Sequence, residues 1–462
     1  MPNTVAHETR SLLRLAFPLA AAQAGTQFMS VVDVAVVGRV GAEELGAASL
    51  GISLFFAISI IGMGTVMGID PLASQAIGSG DPRRARDILT QGLWLAVIVG
   101  LILTVPLALS PLLLGYMKVS EEMQWSASLF VWVRALGLIP FLMFTVVRGY
   151  LQALSITKPL LMAMVAANIF NLAADILFVF GGNGLPSWSG PLRSVPAMGA
   201  AGAALATVLA SVLEVWIVLR AVKRVDRRSA YRPSRRFVSE DSMQAAKIGV
   251  PIGLHMGAEV GVFALAGLLA GRFGSTALAA HQIVLTIASF TFTVVIGVGA
   301  AGTVRVGSAI GALDRRRTAI AGYVAFATGA LFMLVSAATF WIMPGTLASF
   351  LTNQREVIAA AIPLFAAAAV FQIFDGIQGV GAGVLRGAGD THFTFIANLI
   401  GHWAIGFPIA MLLAFKLGYG VVGLWWGLCA GLGAVAVILL VRFRKLSSTL
   451  IAPLQQAQGN EA

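Results

Sequence analysis

Four carboxylates stand inside long apolar stretches of this chain: Asp33, Asp175, Glu259 and Asp375. None has a lysine or arginine one helical turn away. A charged side chain at the centre of a bilayer costs about 2.5–3.5 kcal/mol on insertion scales, so such groups face a cavity or a partner rather than lipid. Their neighbours keep the helical period. Gln23, Thr26, Ser30 and Asp33 are spaced 3, 4 and 3. Asn168, Asn171 and Asp175 share one stripe, as do Gln372, Asp375, Gly379 and Ala382, and His255 precedes Glu259 by one turn. A carboxyl group in a low-dielectric place can hold a proton near neutral pH, and a sodium ion or a cationic ligand can displace that proton. One group can then be occupied by either species, and exchange follows from competition.

Other residues have plainer readings. Gln23, Ser30 and Asn168 could simply join helices, at well under about 1 kcal/mol per bond. His255 and His281 read as core histidines as readily as ligands. Asp70, before Pro71, reads as a turn or cap residue. Glu214 lies near a basic boundary where Arg220 or Lys223 is its expected partner. Arg134 and Arg148 are expected to snorkel to an interface. The lone Cys429 sits in an apolar stretch with no metal-ligand neighbours, which reads as packing.

The elements that carry these residues follow from composition. Of 462 residues, 58% are hydrophobic and 11% charged, against about 25% charged in soluble domains. The apolar material falls into blocks long enough to cross a hydrocarbon layer of about 30 Å as helix. Twelve spans are expected, near 12–38, 46–69, 90–114, 127–148, 160–181, 197–219, 246–271, 278–302, 319–343, 357–382, 393–415 and 419–442. The first continues well past Ala24, which favours a span over a cleaved leader. Net charge is +11. With the amino terminus inside, the inner loops and tails hold 24 Lys/Arg, the outer loops six, and Arg134 lies within a span. That asymmetry predicts a multi-pass protein of the cytoplasmic membrane with both termini in the cytoplasm. It accounts for the basic charge without nucleic acid, and leaves anionic lipid as the expected contact of the inner loops.

The chain also repeats itself. Pro18 and Pro251, Gly38 and Gly271, Arg39 and Arg272, and Gly41 and Gly274 are all 233 residues apart. "AIGSGDPRR" (76–84) faces "AIGALDRRR" (309–317) at the same offset. Six spans per half, an even number, put both halves in the membrane in the same direction. The expectation is an all-α integral membrane protein of two six-helix bundles related by a pseudo-two-fold axis along the membrane normal. The bundles are 1–222 and 246–445, the cytoplasmic linker 223–245 and the tail 446–462.

Several stretches resemble those of the multidrug and toxic compound extrusion (MATE) transporters, and of their NorM-like branch most. They are "VVDVAVVGRVG", "MGIDPLASQAIGSGD", "AEVGVF", "STALAAHQIV", "IGVGAAGTVRVG" and "FDGIQGVGAGVLRGAGDT". The resemblance runs over nearly the whole chain. It implies a V-shaped pair of bundles that exports amphipathic, often cationic, drugs by alternating access, in exchange for sodium ions or protons and without other cofactors. A functional monomer is also implied. Position by position, Asp33 matches the family's first-span carboxylate, Asn171 and Asp175 its fifth-span pair, and Thr207 its sixth-span threonine. Glu259 and Asp375 match acids of the carboxy-terminal bundle. A sodium site is then expected among Asp33, Asp175, Glu259 and Asp375. Two other classes were weighed. A flippase or exporter of lipid-linked material on a related architecture would want a basic interior. An enzyme would need an HExxH motif, a DDxxD-like metal cluster or a paired nucleophile and base, and an ATP-driven pump a GxxxxGK[ST] loop; none of these is present.

Overall fold

The structure is a computed structural model that describes residues 4–116, 120–183, 187–229 and 236–454. It is all-helical. In chain order the helices are α1 (Val5–Val37), α2 (Ala42–Val66), α3 (Ile69–Gly78), α4 (Pro82–Leu109), α5 (Glu121–Ala135), α6 (Leu138–Ala153), α7 (Lys158–Phe180) and α8 (Gly199–Ser229). They continue as α9 (Ser239–Gly271), α10 (Ser275–Gly311), α11 (Arg315–Ile342), α12 (Pro344–Ser349), α13 (Arg355–Ala388), α14 (Thr391–Asn398), α15 (Phe407–Met411) and α16 (Gly420–Ser447). Among the described residues, eleven helical stretches are long and apolar enough to cross a membrane. A twelfth forms if α5 and α6, bent by 44° across Leu136–Gly137, count as one broken span. The expected span 127–148 is that broken pair, and the expected span 46–69 runs on through α3 to Gly78. The expected span 393–415 holds two π-helical segments, Leu399–Gly406 and Leu412–Lys416.

The chain packs as two compact units. One comprises 1–21, 70–82 and 254–462, the other 22–69 and 83–253. α1 changes unit after Ala21 and α9 after Gly253, three and two residues past their internal prolines, Pro18 and Pro251. A proline inside a helix removes a backbone hydrogen bond and crowds the preceding turn, so these are the places where a long helix most readily changes course. The division expected from the repeat cuts the chain elsewhere. Of the expected linker, 223–229 prolongs α8 and 239–245 begins α9; residues 230–235 lie outside the described residues. So does the end of the expected tail, 455–462.

In the first unit α13 is the central helix, lying against α10, α11 and α16. Glycine lets it do so: a Cβ at Gly383 would run into the Gly299 backbone of α10, and one at Gly387 into the Thr303 carbonyl. Thr303 Oγ1 then donates to the Gly383 carbonyl at 2.7 Å, a hydrogen bond open only to helices this close. Glu8, buried on α1, accepts a forked pair of bonds from Arg305 (2.6–2.9 Å) and another from Arg317 at 3.2 Å. In the second unit α8 packs on α5, α6 and α7, with Gly202 set against the Phe178 backbone. Arg84 pairs with Asp241 at 2.6 Å and Arg86 with Asp226 at 2.9 Å. The basic inner segments are thus partly neutralised by carboxylates.

Gly383→Leu should disrupt the α10–α13 seam, at a cost of about 1–3 kcal/mol or more, as overpacking does. The melting temperature of the detergent-purified variant measures it; a value equal to wild type would contradict the close approach.

Candidate functional site

The acids gather in two places, one in each unit. In the second unit, α8 carries Thr207 and is held at its amino-terminal end by Glu44. That carboxylate accepts from the Ala200 N–H at 2.6 Å and from Ser126 Oγ at 3.0 Å, satisfying a helix terminus that would otherwise lack a partner. α8 so anchored presents Thr207 to α1, where its hydroxyl donates to Asp33 Oδ2 at 2.9 Å. From α7, Asn171 and Asp175, both with 0% exposure, are the polar neighbours of Asp33. Even so, Asp33 Oδ1, both Asp175 oxygens and both amide atoms of Asn171 make no well-formed hydrogen bond. Two carboxylates gathered in one buried place repel one another when both are charged.

The rest of the first stripe is different. Thr26 and Ser30 are exposed and Gln23 is half-buried, and Thr26 Oγ1 bonds its own helix at Ala22 O. Asn168 likewise donates to Met164 O at 2.9 Å. Of the two stripes, then, it is Asp33, Asn171 and Asp175 that meet.

Two sequence expectations fail in this unit. Arg134 does not snorkel: its guanidinium lies over the Phe55 ring, 4.2 Å from the centroid, with Asp33 and Glu214 as its charged neighbours. Gly137, at the break between α5 and α6, leaves it room; a Cβ there would lie 2.8 Å from Nη1. Glu214 has Arg148 and Arg134 as its charged neighbours, and Arg220 stacks on Trp216 at 3.6 Å.

In the first unit, Glu259 Oε2 on α9 lies 3.3 Å from His255 Nε2, and the Gln378 amide nitrogen on α13 lies 3.5 Å from the same ring nitrogen, which can donate to the carboxylate when it carries a hydrogen or accept from the amide when it does not. Asp375, 5% exposed, lies within electrostatic range of Glu259, as does His402. Sequence reasoning missed His402 and Gln378. His402 stands in the π-helical segment Leu399–Gly406, where one extra residue per turn re-aims side chains, a device common at functional sites. Trp403 Nε1 donates to Ala258 O at 3.2 Å and ties that segment to α9 beside Glu259. His402 is buried, and among the described residues neither of its ring nitrogens makes a well-formed hydrogen bond. Gln372 turns away from the acids, donating to Thr291 Oγ1 at 2.5 Å and Ser336 Oγ at 2.9 Å. His281 is a packed core residue whose Nδ1 accepts from Trp425 Nε1 at 3.2 Å. Cys429 is buried and free, and its thiol meets the Ala367 carbonyl at 3.3 Å.

Thr207→Ala removes a neutral donor from a carboxylate, about 1.5–3 kcal/mol for a hydrogen bond to a charged group. The melting temperature in detergent near neutral pH should fall, and Thr207→Ser, which keeps the hydroxyl, should restore most of the loss. Equal melting temperatures for the Ala and Ser variants would contradict the bond.

With this geometry established, the chain can be set beside known proteins. The MatE family profile matches residues 18–177 and 251–412, one match in each half of the repeat. The probable multidrug resistance protein NorM of Bradyrhizobium diazoefficiens is 36% identical, over 97% of this chain and 96% of the relative. The multidrug resistance protein NorM of Burkholderia vietnamiensis is 33% identical, over 98% and 97%. Among solved structures, the eukaryotic MATE transporter AtDTX14 superposes with a TM-score of 0.84 at 20% identity, covering 96% of this chain and 98% of that one. A MOP-superfamily transporter from Pyrococcus furiosus superposes with a TM-score of 0.85 at 19% identity, covering 96% of each. The structures speak for the fold, and the profile and the relatives identify the protein: this chain is a multi-pass membrane protein of the MatE family, on its NorM side.

Proposed function

We propose that this protein is a multidrug efflux antiporter. It exports amphipathic organic cations across the cytoplasmic membrane, in exchange for sodium ions or protons, by alternating access between six-helix bundles 1–222 and 246–445. The bundles are joined by the cytoplasmic linker 223–245, the tail is 446–462, and both termini lie in the cytoplasm. The protein works as a monomer among membrane lipids. The names of the NorM relatives support the drug-export reading.

The observation that carries it is the oxygen cluster at Asp33. One oxygen of that carboxylate is bound by Thr207, while its other oxygen and those of Asp175 and Asn171 lack donors. Buried acceptors without donors are costly, and a proton, a sodium ion or an organic cation relieves that cost in turn. Occupants that share one set of acceptors exclude each other, and mutual exclusion is what couples an inward ion to an outward drug. Each occupant also changes which hydrogen bonds the cluster makes, and so favours one conformation over the other.

Glu259 and Asp375 form the second candidate site. His255 stands 3.3 Å from Glu259, Gln378 stands 3.5 Å from His255, and Asp375 adds a second negative charge. A sodium ion needs several oxygen ligands, and either acidic cluster offers carboxylates for it. Aromatic residues, 9% of the chain, suit flat cations through burial and cation–π contact.

Expression in a bacterial strain lacking its own exporters tests the reading. Wild-type protein should lower the accumulation of ethidium and raise tolerance to cationic dyes. Asp33→Asn should cut this efflux at least about tenfold, the factor that a loss of some 1.4 kcal/mol gives. Glu259→Gln and Asp375→Asn should each reduce the stimulation of efflux by sodium. Unchanged accumulation with well-folded wild-type protein in the membrane would refute export, and full efflux by Asp33→Asn would remove that residue from the mechanism.

A further inference from the structure

Arg134 presents a difficulty for a cation site. Its guanidinium is charged at every working pH, and it lies beside Asp33, the group that is to receive a cation. In surroundings of low dielectric a fixed positive charge there would repel every occupant. The geometry around Arg134 offers a way out. Thr207, Ser211 and Glu214 are spaced 4 and 3 along α8 and so form one stripe. Thr207, at one end, is bonded to Asp33 at 2.9 Å. Glu214 lies two turns further along, roughly 10 Å at 1.5 Å per residue. Arg134, on the neighbouring α5, has both of these carboxylates as its charged neighbours. It is committed to neither: among the described residues it forms no ion pair, and its buried Nη1 has no hydrogen-bond partner. The Phe55 face at 4.2 Å holds a cation without fixing a direction, and Nη1 packs against Gly137, where a Cβ would lie 2.8 Å from it. Arg148, near Glu214, completes an alternation of Asp33, Arg134, Glu214 and Arg148 in sign.

We infer that Arg134 is a movable internal counter-ion, drawn to Asp33 when no other cation is there and withdrawn along the α8 stripe to Glu214 when one binds. This inference rests on the export reading above, and gives Asp33 a built-in competitor that helps to expel its occupant. Removing the guanidinium should then tighten cation binding and slow release. Removing the Glu214 charge should weaken binding, because the guanidinium loses the place to which it retreats.

The two variants therefore have opposite signs, which a merely structural role would not produce; two immobile charges would also give them, so the double variant decides, and a Glu214→Gln effect that persists in the Arg134→Met background would overturn the inference. Titration calorimetry of the full-length protein in detergent, with tetraphenylphosphonium as the probe, reads them. Arg134→Met should lower Kd and Glu214→Gln should raise it, each about tenfold, as for one unscreened charge at this range. Arg134→Lys should stay near wild type, and Glu214→Gln should have no effect in the Arg134→Met background. If Arg134→Met does not fold, Glu214→Gln and Glu214→Asp decide the matter, Gln weakening binding and Asp retaining it. Equal Kd values throughout, or a shift in the same direction for Arg134→Met and Glu214→Gln, would overturn the inference and leave export standing. Wild-type protein that binds no organic cation would overturn both.

Discussion

An ionised side chain within a bilayer has no water to hydrate it, and hydrocarbon gives nothing in exchange. The chain must then supply hydroxyls, amides or opposite charges, or let an ion or proton do so. Both clusters are built around that requirement, and they meet it differently. Asp33 takes one hydroxyl from Thr207 and has unfilled acceptors around it, while Glu259 takes an imidazole and is backed by an amide. An oxygen-rich place short of donors favours a small cation or a proton. A place with imidazoles and acids together carries its own stock of both donors and acceptors.

Holding these groups depends on helices that approach closely and end where they should. The glycines of α10 and α13 do the first, and their closeness lets the Thr303 hydroxyl bond the Gly383 carbonyl of the facing helix. Glu44 does the second, fixing the start of α8 and therefore the level at which Thr207 meets Asp33. Departures from regular helix stand beside the sites. The break at Leu136–Gly137 adjoins Arg134, and the π-helical segment Leu399–Gly406 carries His402. A regular helix would aim His402 elsewhere, and a side chain at Gly137 would crowd Arg134.

These departures mark what could be read from the sequence alone. Apolar blocks, the 3-4-3 spacing before Asp33 and the 233-residue repeat follow from local composition and period, so spans and acidic stripes were legible. Thr207 entered through family resemblance alone, since a threonine in "GAALATVLA" has no periodic signal of its own. His402 and Gln378 were not legible, because a π-helical turn shifts the register on which stripe reading depends. Arg134 was misread for a related reason. Snorkelling is the usual course of an arginine in a span, and only the fold could bring Asp33, Glu214 and the Phe55 ring around it. Asp241 and Asp226, at the helix ends, likewise pair with arginines more than a hundred residues away in the chain.

The central claim is that buried acids exchange one cation for another. Purified protein in liposomes, with either a sodium or a proton gradient imposed and an entrapped fluorescent cation followed in time, tests this most directly. The account predicts that dye moves against its own gradient only while an opposing ion gradient lasts, and that neutralising Asp33 and Glu259 together abolishes the movement. Dye transport that ignores both gradients, or that survives the loss of both acids, would contradict it.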